Sequence, residues 1–429
     1  MNQNPTQAPA RNYTGPFITM VFLFFIVGFL TTANTQFQIP LQQTFLAGVD
    51  NLKNTFSTMI IFSWFLAYPI CGGTGSRWIS RYGYKGALLL SLLVMVVGLA
   101  LFFTSSLFTE KFPDATLSLG TASIPWGFFI FLAGSFVLGA SVTILQVVVN
   151  PYLTACTVRG TQPIQRLAIG GSANSVGTTI APYFVTGVVF AGLPMSEISI
   201  DQLMVPFLGL IAVVVVVYAS LYFTSLPDIE GTRIDRSEAN AATDTNVWRH
   251  RHFLLGVVAI FCYVGAEVCI GGSVNVYAEK LGYSETQFVL MVTIYWGLML
   301  IGRLCGSTLS KISPRTQLIV TTACAAVLVA LAVIFQNPWL LVAVGLFHSI
   351  MWGAIFTLSV SGLGKLTSIA SGKFMIGVFG GALFPLLQGF LADSFGSWRF
   401  TWLLVLACEA VMLYYAIAGS KVKSIPESK

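Results

Sequence analysis

Residues 17–46 read FITMVFLFFIVGFLTTANTQFQIPLQQTFL. The stretch opens as an uninterrupted apolar run, and as a helix it is long enough to cross a bilayer, which takes about 20 residues. No small-residue cleavage site follows the run, so it reads as a retained membrane helix rather than a signal peptide. Its second part turns polar without becoming charged. Thr31, Asn34 or Thr35, Gln38 and Gln42 fall on one helical face, and Thr32, Gln36 and Gln43 on another. Polar groups are costly in hydrocarbon, so a helix this polar cannot show either face to lipid. Either its amides line an aqueous cavity and bind a hydroxyl-rich molecule, or they hydrogen-bond to neighbouring helices. The number of amides favours the cavity.

The rest of the chain has the same character. Of its 429 residues, 55% are hydrophobic and 9% charged, and its mean hydropathy is +0.81. A soluble domain carries about 25% charged residues. That difference excludes a soluble enzyme, a disulfide scaffold and a disordered protein. Hydropathy places spans at 17–46, 56–79, 86–108, 122–152, 166–191, 203–226, 252–278, 286–310, 316–336, 339–362, 371–392 and 398–419. Pro40, Pro151, Pro182 and Pro385 fall within or at the ends of spans and are expected kink points. The fold class is therefore all-α, a polytopic membrane protein of twelve transmembrane helices in two pseudo-symmetric six-helix bundles.

An even number of spans puts both termini on one side. The net charge of +6 is read here through its placement and not as a sign of nucleic acid. If the termini are cytoplasmic, 18 of the 22 Lys and Arg fall on cytoplasmic segments. Lys53, Lys111, Lys280 and Arg399 make up the other 4. This asymmetry follows the positive-inside rule and places the protein in a cell inner (plasma) membrane with cytoplasmic termini.

The longest polar stretch, 227–251, reads as a solvated linker. It divides the chain into an N-terminal bundle, 1–226, and a C-terminal bundle, 252–429. The halves also look repeated. SRWISRYGYK at 76–85 and GSTLSKISPR at 306–315 align at an offset of 230 residues, pairing Ser80 with Ser310, Arg81 with Lys311 and Lys85 with Arg315. Internal repeats with a site between them near the midplane are a transporter pattern.

The chain carries no G-x-x-x-x-G-K-[ST] loop, no H-E-x-x-H and no Ser-His-Asp arrangement, so it does not read as an enzyme or an ATP-driven pump. Its seven cysteines form no C-x-x-C pair and its three histidines are scattered, so neither a metal site nor a cofactor is expected. Further polar stripes mark the interior. Ser135, Gly139, Thr143, Gln146 and Asn150 recur at three- and four-residue spacing in the fourth span. The fifth carries GGSANSVGTTIAP from Gly170, with Asn174 and Thr178 one turn apart and Gly170, Gly171 and Gly177 suited to close helix packing. In the tenth, His348, Trp352 and Phe356 share a face. An indole there can stack on a sugar ring. Phe356 reads as a packing residue, and His348 either as a hydrogen-bonded packing residue, the commoner role of a lone membrane histidine, or as a proton carrier. Glu267 and Glu409 lie deep in spans, where a carboxylate must be paired, wetted or protonated. Glu267, beside Gly265, Gly271 and Gly272, is the better coupling residue, because the last span is often peripheral. Asp393, Arg399, Arg303 and Arg81 sit at span ends and read as gate or loop ion pairs, as does Lys311.

Four segments resemble the major facilitator superfamily and, within it, the fucose, glucose and galactose permeases. They are FFIVGFLTTANTQFQIPLQ from Phe24, GASVTILQVVVNPYLT from Gly139, ANSVGTTIAP from Ala173 and FCYVGAEVCIGG from Phe261. The resemblance covers essentially the whole chain. It implies two six-helix bundles around a central cavity, rocking between inward- and outward-open states, and import of a monosaccharide with a proton. The chain departs from the family at Thr35 and Gln36, which stand where relatives carry Asn-Asp, the acid implicated in proton coupling. Gln146 stands where the fucose permease has Glu, and Gly171 replaces a Gln. Asn174 and Arg166 match.

The expected function is cation-coupled import of a monosaccharide or amino sugar by a monomeric transporter. Asn34, Gln36, Gln38, Gln42, Gln146, Asn150, Asn174 and Trp352 would bind the sugar. Glu267 would couple it to H⁺ or Na⁺, and Arg81, Arg303 and Lys311 would gate the path. A sugar uniporter is the alternative within transport. A membrane sugar sensor is the alternative outside it, disfavoured by the short tails before residue 17 and after 419.

Overall fold

The structure is a computed structural model. It describes residues 13–49, 52–119, 122–156, 163–190, 204–224, 247–306, 312–363 and 366–422, with Val158, Thr161, Leu193 and Leu226 between them. A 23-residue helix, α1 (Thr14–Gln36), and a 7-residue one, α2 (Gln38–Thr44), make the first span. The break falls at Phe37, three residues before Pro40, which cannot donate to the Gln36 carbonyl four residues back.

Helix α3 (Lys53–Lys111) carries the second and third spans, and the loop expected at 80–85 is absent. One residue, Gly83, breaks the helix at φ 70° and ψ 177°, a conformation essentially reserved for glycine. The arms on either side of Gly83 both pack on α4 (Trp126–Ala155). Gly139 lies against the Trp64 backbone of the first arm and Leu138 against Gly98 of the second. Before α4, β1 (Thr116–Leu119) and β2 (Ala122–Pro125) form an antiparallel ribbon pairing Thr116 with Pro125 and Leu119 with Ala122. The fourth span therefore begins at Trp126 and not at 122. TLSL and ASIP alternate in polarity, which suits a short ribbon better than a helical turn.

The first half closes with α5 (Pro163–Phe184), widened after Pro182 into the π-turn Val185–Val189, and α6 (Met204–Phe223). Residues 227–246 of the expected linker lie outside the described residues, and Val247–Arg249 forms a single 3₁₀ turn. The second half runs α7 (Arg251–Lys280), α8 (Glu285–Gly306), α9 (Pro314–Phe335), α10 (Pro338–His348), α11 (Met351–Val360), α12 (Thr367–Phe374), α13 (Gly380–Phe395) and α14 (Trp402–Tyr414). The tenth span bends by 43° between α10 and α11, and the 3₁₀ turn Met375–Phe379 interrupts the eleventh. Pro385, an expected kink, sits inside α13 without breaking it.

Ten helical stretches among the described residues are long and apolar enough to cross a membrane, and the bent α10–α11 pair makes an eleventh. The remaining expected span is α5. It has 22 residues, but its GGSANSVGTT segment is too polar to register as a span. Side chains follow the inverted logic of a membrane protein. Phe223 is 84% and Val205 75% exposed, whereas Gln38, Ser135, His348 and Glu409 are fully buried.

Contacts at the helix ends fix the threading. Lys85 Nζ donates to the Tyr222 carbonyl at 2.7 Å, and Arg315 donates to the carbonyls of Ala416 and Ile417, so these ends lie with the termini. Arg399 donates to the carbonyls of Val333 and Ile334 at the opposite, distal end.

Candidate substrate and coupling site

The first half meets the second along a seam formed by α1–α2, α3 and α5 on one side and α7, α8 and α13 on the other. At its distal end Asp393 of α13 receives four hydrogen bonds from the first turn of α3. The Asn54 backbone N and side-chain Nδ2 donate to Oδ1 at 3.1 and 2.9 Å, and the Thr55 backbone N and Oγ1 donate to Oδ2 at 2.7 and 2.5 Å. A carboxylate at a helix N-terminus satisfies otherwise orphaned N–H groups and complements the helix dipole.

Deeper in the seam, Gln38 Nε2 donates to the Gly272 carbonyl at 2.7 Å. A Cβ on Gly272 would lie 2.8 Å from Ile61 Cδ1, so the glycine lets α7 approach α3 without the Ile61 side chain having to move. Thr58 lies against Gly389 and Phe65 against Gly381. These residues form one stripe of α3, and the stripe changes character at Pro69, which is exposed, as is Gly73. A Cβ at Gly72 or Gly73 would meet nothing within 4 Å. The seam is closed at the distal end and opens toward the termini.

Arg303 of α8 bridges the halves at mid-depth. Its Nη1 donates to Ser175 Oγ on α5 at 2.6 Å, its Nη2 lies 3.8 Å from Glu267 Oε1 on α7, and its Nε donates to the Ser349 carbonyl at 3.4 Å. The side chains of Arg303 and Glu267 are 31% and 14% exposed, so this pair borders the opening. Trp352 is half-buried. It packs edge-on against Tyr263 and Phe374 at centroid distances of 6.3 and 6.1 Å.

Other expected ligands are placed differently. The Asn34 Oδ1 accepts from Ser135 Oγ at 3.1 Å inside the first bundle. Gln42 Nε2 donates to Ser57 Oγ at 2.9 Å and Asn54 Oδ1 at 3.3 Å, supporting the Asp393 contact. Gln36 Nε2 donates to its neighbour Thr35 Oγ1 at 3.1 Å. Gln146 and Asn174 are half-buried and tied within the first half, Gln146 Nε2 to Tyr68 OH at 3.0 Å and Asn174 Nδ2 to the Phe24 carbonyl at 3.1 Å. Asn150 is half-buried one turn beyond Gln146 on α4. Of the three glycines expected to pack, Gly170 abuts Leu153 and Gly177 the Phe25 backbone, while Gly171 faces open space. Arg81 is exposed, 5.3 Å from the Tyr82 ring centroid. Lys311 and its repeat neighbour Ser310 lie outside the described residues.

A buried polar chain that sequence reading missed continues from Glu267. Tyr295 OH lies 3.2 Å from the Glu267 carbonyl and 3.0 Å from His348 Nδ1, and His348 Nε2 lies 2.7 Å from Glu409 Oε1. Tyr263 OH donates to the His348 carbonyl at 3.0 Å. The last helix is not peripheral at Glu409, which is fully buried, as is His348. The pair joins residues 61 positions apart on different helices, and no periodicity within either helix signals it.

The profile of the Major Facilitator Superfamily matches residues 17–384. A glucose/galactose transporter of Brucella abortus biovar 1 (strain 9-941) is 32% identical over 423 residues, covering 96% of this chain and 95% of that protein. The L-fucose-proton symporter of Escherichia coli (strain K12) is 24% identical over 432 residues, covering 95% and 93%. The crystal structure of FucP, a Major Facilitator Superfamily transporter, in the outward conformation superposes with a TM-score of 0.66 at 22% identity, covering 95% of this chain and 99% of that one. With the profile spanning most of its length and helices threaded as in that fold, the chain belongs to the Major Facilitator Superfamily.

Proposed function

We propose that the protein is a secondary active transporter that imports a monosaccharide or amino sugar by alternating access, coupled to a cation. The observation that carries the reading is the seam. Two halves of an otherwise apolar bundle meet through a few polar bonds at one end and at mid-depth, and part toward the other end. Rocking about mid-depth breaks the Asp393 contacts, closes the opposite end, and exposes one cavity to each side in turn. The relatives named for glucose, galactose and fucose support a sugar as substrate. Asn174, half-buried on α5 of the seam, with Gln146 and Asn150 half-buried on α4 and Trp352 half-buried on α11, supply the amides and the indole edge that a polyhydroxylated ring requires. Glu267 is the coupling residue of this reading, because it is the carboxylate that borders the opening. The two six-helix bundles, divided at 227–251, are the moving bodies. The membrane is the cell inner membrane, and the working unit is a monomer.

Uptake of labelled fucose, glucose, galactose, fructose and N-acetylglucosamine into proteoliposomes tests the proposal. Each is run with an inward proton gradient, an inward Na⁺ gradient, and none. Accumulation above the external concentration under one gradient identifies sugar and ion together. Glu267→Gln is then expected to lose accumulation while still exchanging sugar, and unchanged accumulation in that variant removes Glu267 from coupling. Equilibration without accumulation in the wild type identifies a uniporter, the reading favoured by Gln36, an amide that cannot carry a proton.

A further inference from the structure

We infer that the coupling proton is held by the His348–Glu409 pair, which is joined to the seam through Tyr295. The inference rests on the transport reading above and refines its coupling step: the proton is stored on the buried pair, and Glu267, at the opening, is where it enters and leaves.

The charges separate this pair from Glu267. Glu267 faces Arg303, whose guanidinium is permanently charged, so that pair is neutral with no added proton. Glu409 has no such partner, and among the described residues the cation facing it is His348. Among the described residues its Oε2 has no hydrogen-bond partner. The other titratable groups around the pair are Cys262, Tyr263, Glu267 and Cys269 on α7, Tyr295 on α8 and Cys408 on α14. The permanent cation near them, Arg303, is engaged by Glu267 and by the Ser349 carbonyl and does not face Glu409. An ionised Glu409 in this dry site therefore demands a proton on the imidazole, because a lone buried carboxylate is strongly penalised. The pair binds one proton where an Arg–Glu pair binds none.

Geometry ties that proton to the seam. Tyr295 has one hydroxyl hydrogen and two neighbours, His348 Nδ1 at 3.0 Å and the Glu267 carbonyl at 3.2 Å. With the proton bound, His348 is an imidazolium. Its Nε2–H donates to Glu409 Oε1, its Nδ1–H donates to the Tyr295 oxygen, and the Tyr295 hydrogen is left for the Glu267 carbonyl. The proton leaves by relay: Nδ1–H passes to the Tyr295 oxygen as the Tyr295 hydrogen passes on to solvent that reaches the seam. Tyr295 then holds its one hydrogen toward Nδ1, now an acceptor, and the Glu267 carbonyl loses Tyr295 as a donor while keeping its intrahelical one. Loading is thus read out on the α7 backbone, five residues before the Gly272 carbonyl that receives Gln38 of the other half. His348 and Glu409 are both fully buried in this conformation, so here the proton is retained and not exchanged with water.

The test uses the full-length protein in proteoliposomes, with a pH dye in the lumen and a sugar the wild type transports. The wild type is expected to admit protons when that sugar enters down its own gradient. Glu409→Gln is expected to keep sugar exchange and to lower sugar-driven proton influx at least about tenfold, with accumulation lost. Tyr295→Phe, which removes only a hydroxyl, is expected to keep exchange and reduce accumulation several-fold; it decides the matter if Glu409→Gln loses exchange as well. Sugar-driven proton influx that persists in Glu409→Gln, or accumulation undiminished in Tyr295→Phe, overturns the inference. A wild type that transports sugar without moving protons also overturns it and leaves transport standing. A wild type that transports no sugar removes the transport reading itself.

Discussion

Asp393 holds the distal end of the seam shut through a helix terminus and not through a cation. Four donors from Asn54 and Thr55 converge on its two oxygens, two of them orphaned N–H groups of the first turn of α3. Removing a capping carboxylate costs about 2 kcal/mol in favourable geometry, which changes a two-state ratio roughly 30-fold. Asp393→Ala is therefore expected to populate the conformation open at the distal end. Spin labels at Leu52 and Phe395, exposed residues at that end, should show a second and longer distance. A single unchanged distance in the variant would mean that the remaining contacts, Gln38–Gly272 and Arg303–Ser175 among them, hold the seam without Asp393. The residue's position at a span end was legible in the sequence, where it read as half of a loop ion pair. Its partner was not, because half of that partner is backbone N–H, which any residue but proline would bring, and the Asn54 and Thr55 side chains that complete it lie 338 or more positions away. The same limit hid the buried chain beyond Glu267. Glu409 is conspicuous as a charge in an apolar run, but nothing near it in sequence points to His348.

At the level of the element, most of what the membrane dictates was legible and most of what departs from a straight helix was not. Lipid demands long apolar stretches with satisfied backbone, so hydropathy finds the spans, α5 included, although polarity in its GGSANSVGTT segment weakens the signal there. Breaks obey local stereochemistry. Pro40 and Pro182 mark real irregularities, yet Pro385 leaves α13 intact, and the bend between α10 and α11 contains no proline. The sharpest case is Gly83, which replaces an expected loop between two spans with one residue. Its φ of 70° and ψ of 177° lie where a side chain is strained. Gly83→Ala is expected to cost about 1–3 kcal/mol, read as a lower thermal midpoint in detergent. Gly73→Ala, where a Cβ meets open space, should leave the midpoint near wild type. Equal midpoints for the two variants would show that the turn can be made another way.

For the whole molecule, the decisive quantity is which face of the membrane the open end meets. The helices alone are indifferent to this. They cross an even number of times, so the termini share a side, and the seam parts on that side beyond Phe65 and Gly381. Charge breaks the tie. Grouped by the expected spans, 18 of 22 Lys and Arg fall on the termini side, and the positively charged side of a membrane protein is ordinarily cytoplasmic. Structure adds a reason for some of these charges to stay where they are. Lys85 and Arg315, which correspond across the proposed repeat, each bond backbone carbonyls at a helix end, Lys85 at the end of α6 and Arg315 beyond α14. They serve at once as topological signals and as ties that hold helix ends together. A fusion at the C-terminus is therefore expected to be fluorescent with a green fluorescent reporter and inactive with alkaline phosphatase, which needs an oxidising compartment. That result makes the conformation described here inward-open, with Asp393 as its extracellular latch, and Asp393→Ala should then favour access from outside. The opposite pattern of reporters would invert the direction of every step, turning the latch into a cytoplasmic one and the importer into an exporter. The seam itself and the His348–Glu409 pair are the same in either orientation, so the reporter experiment separates the direction of transport from its mechanism.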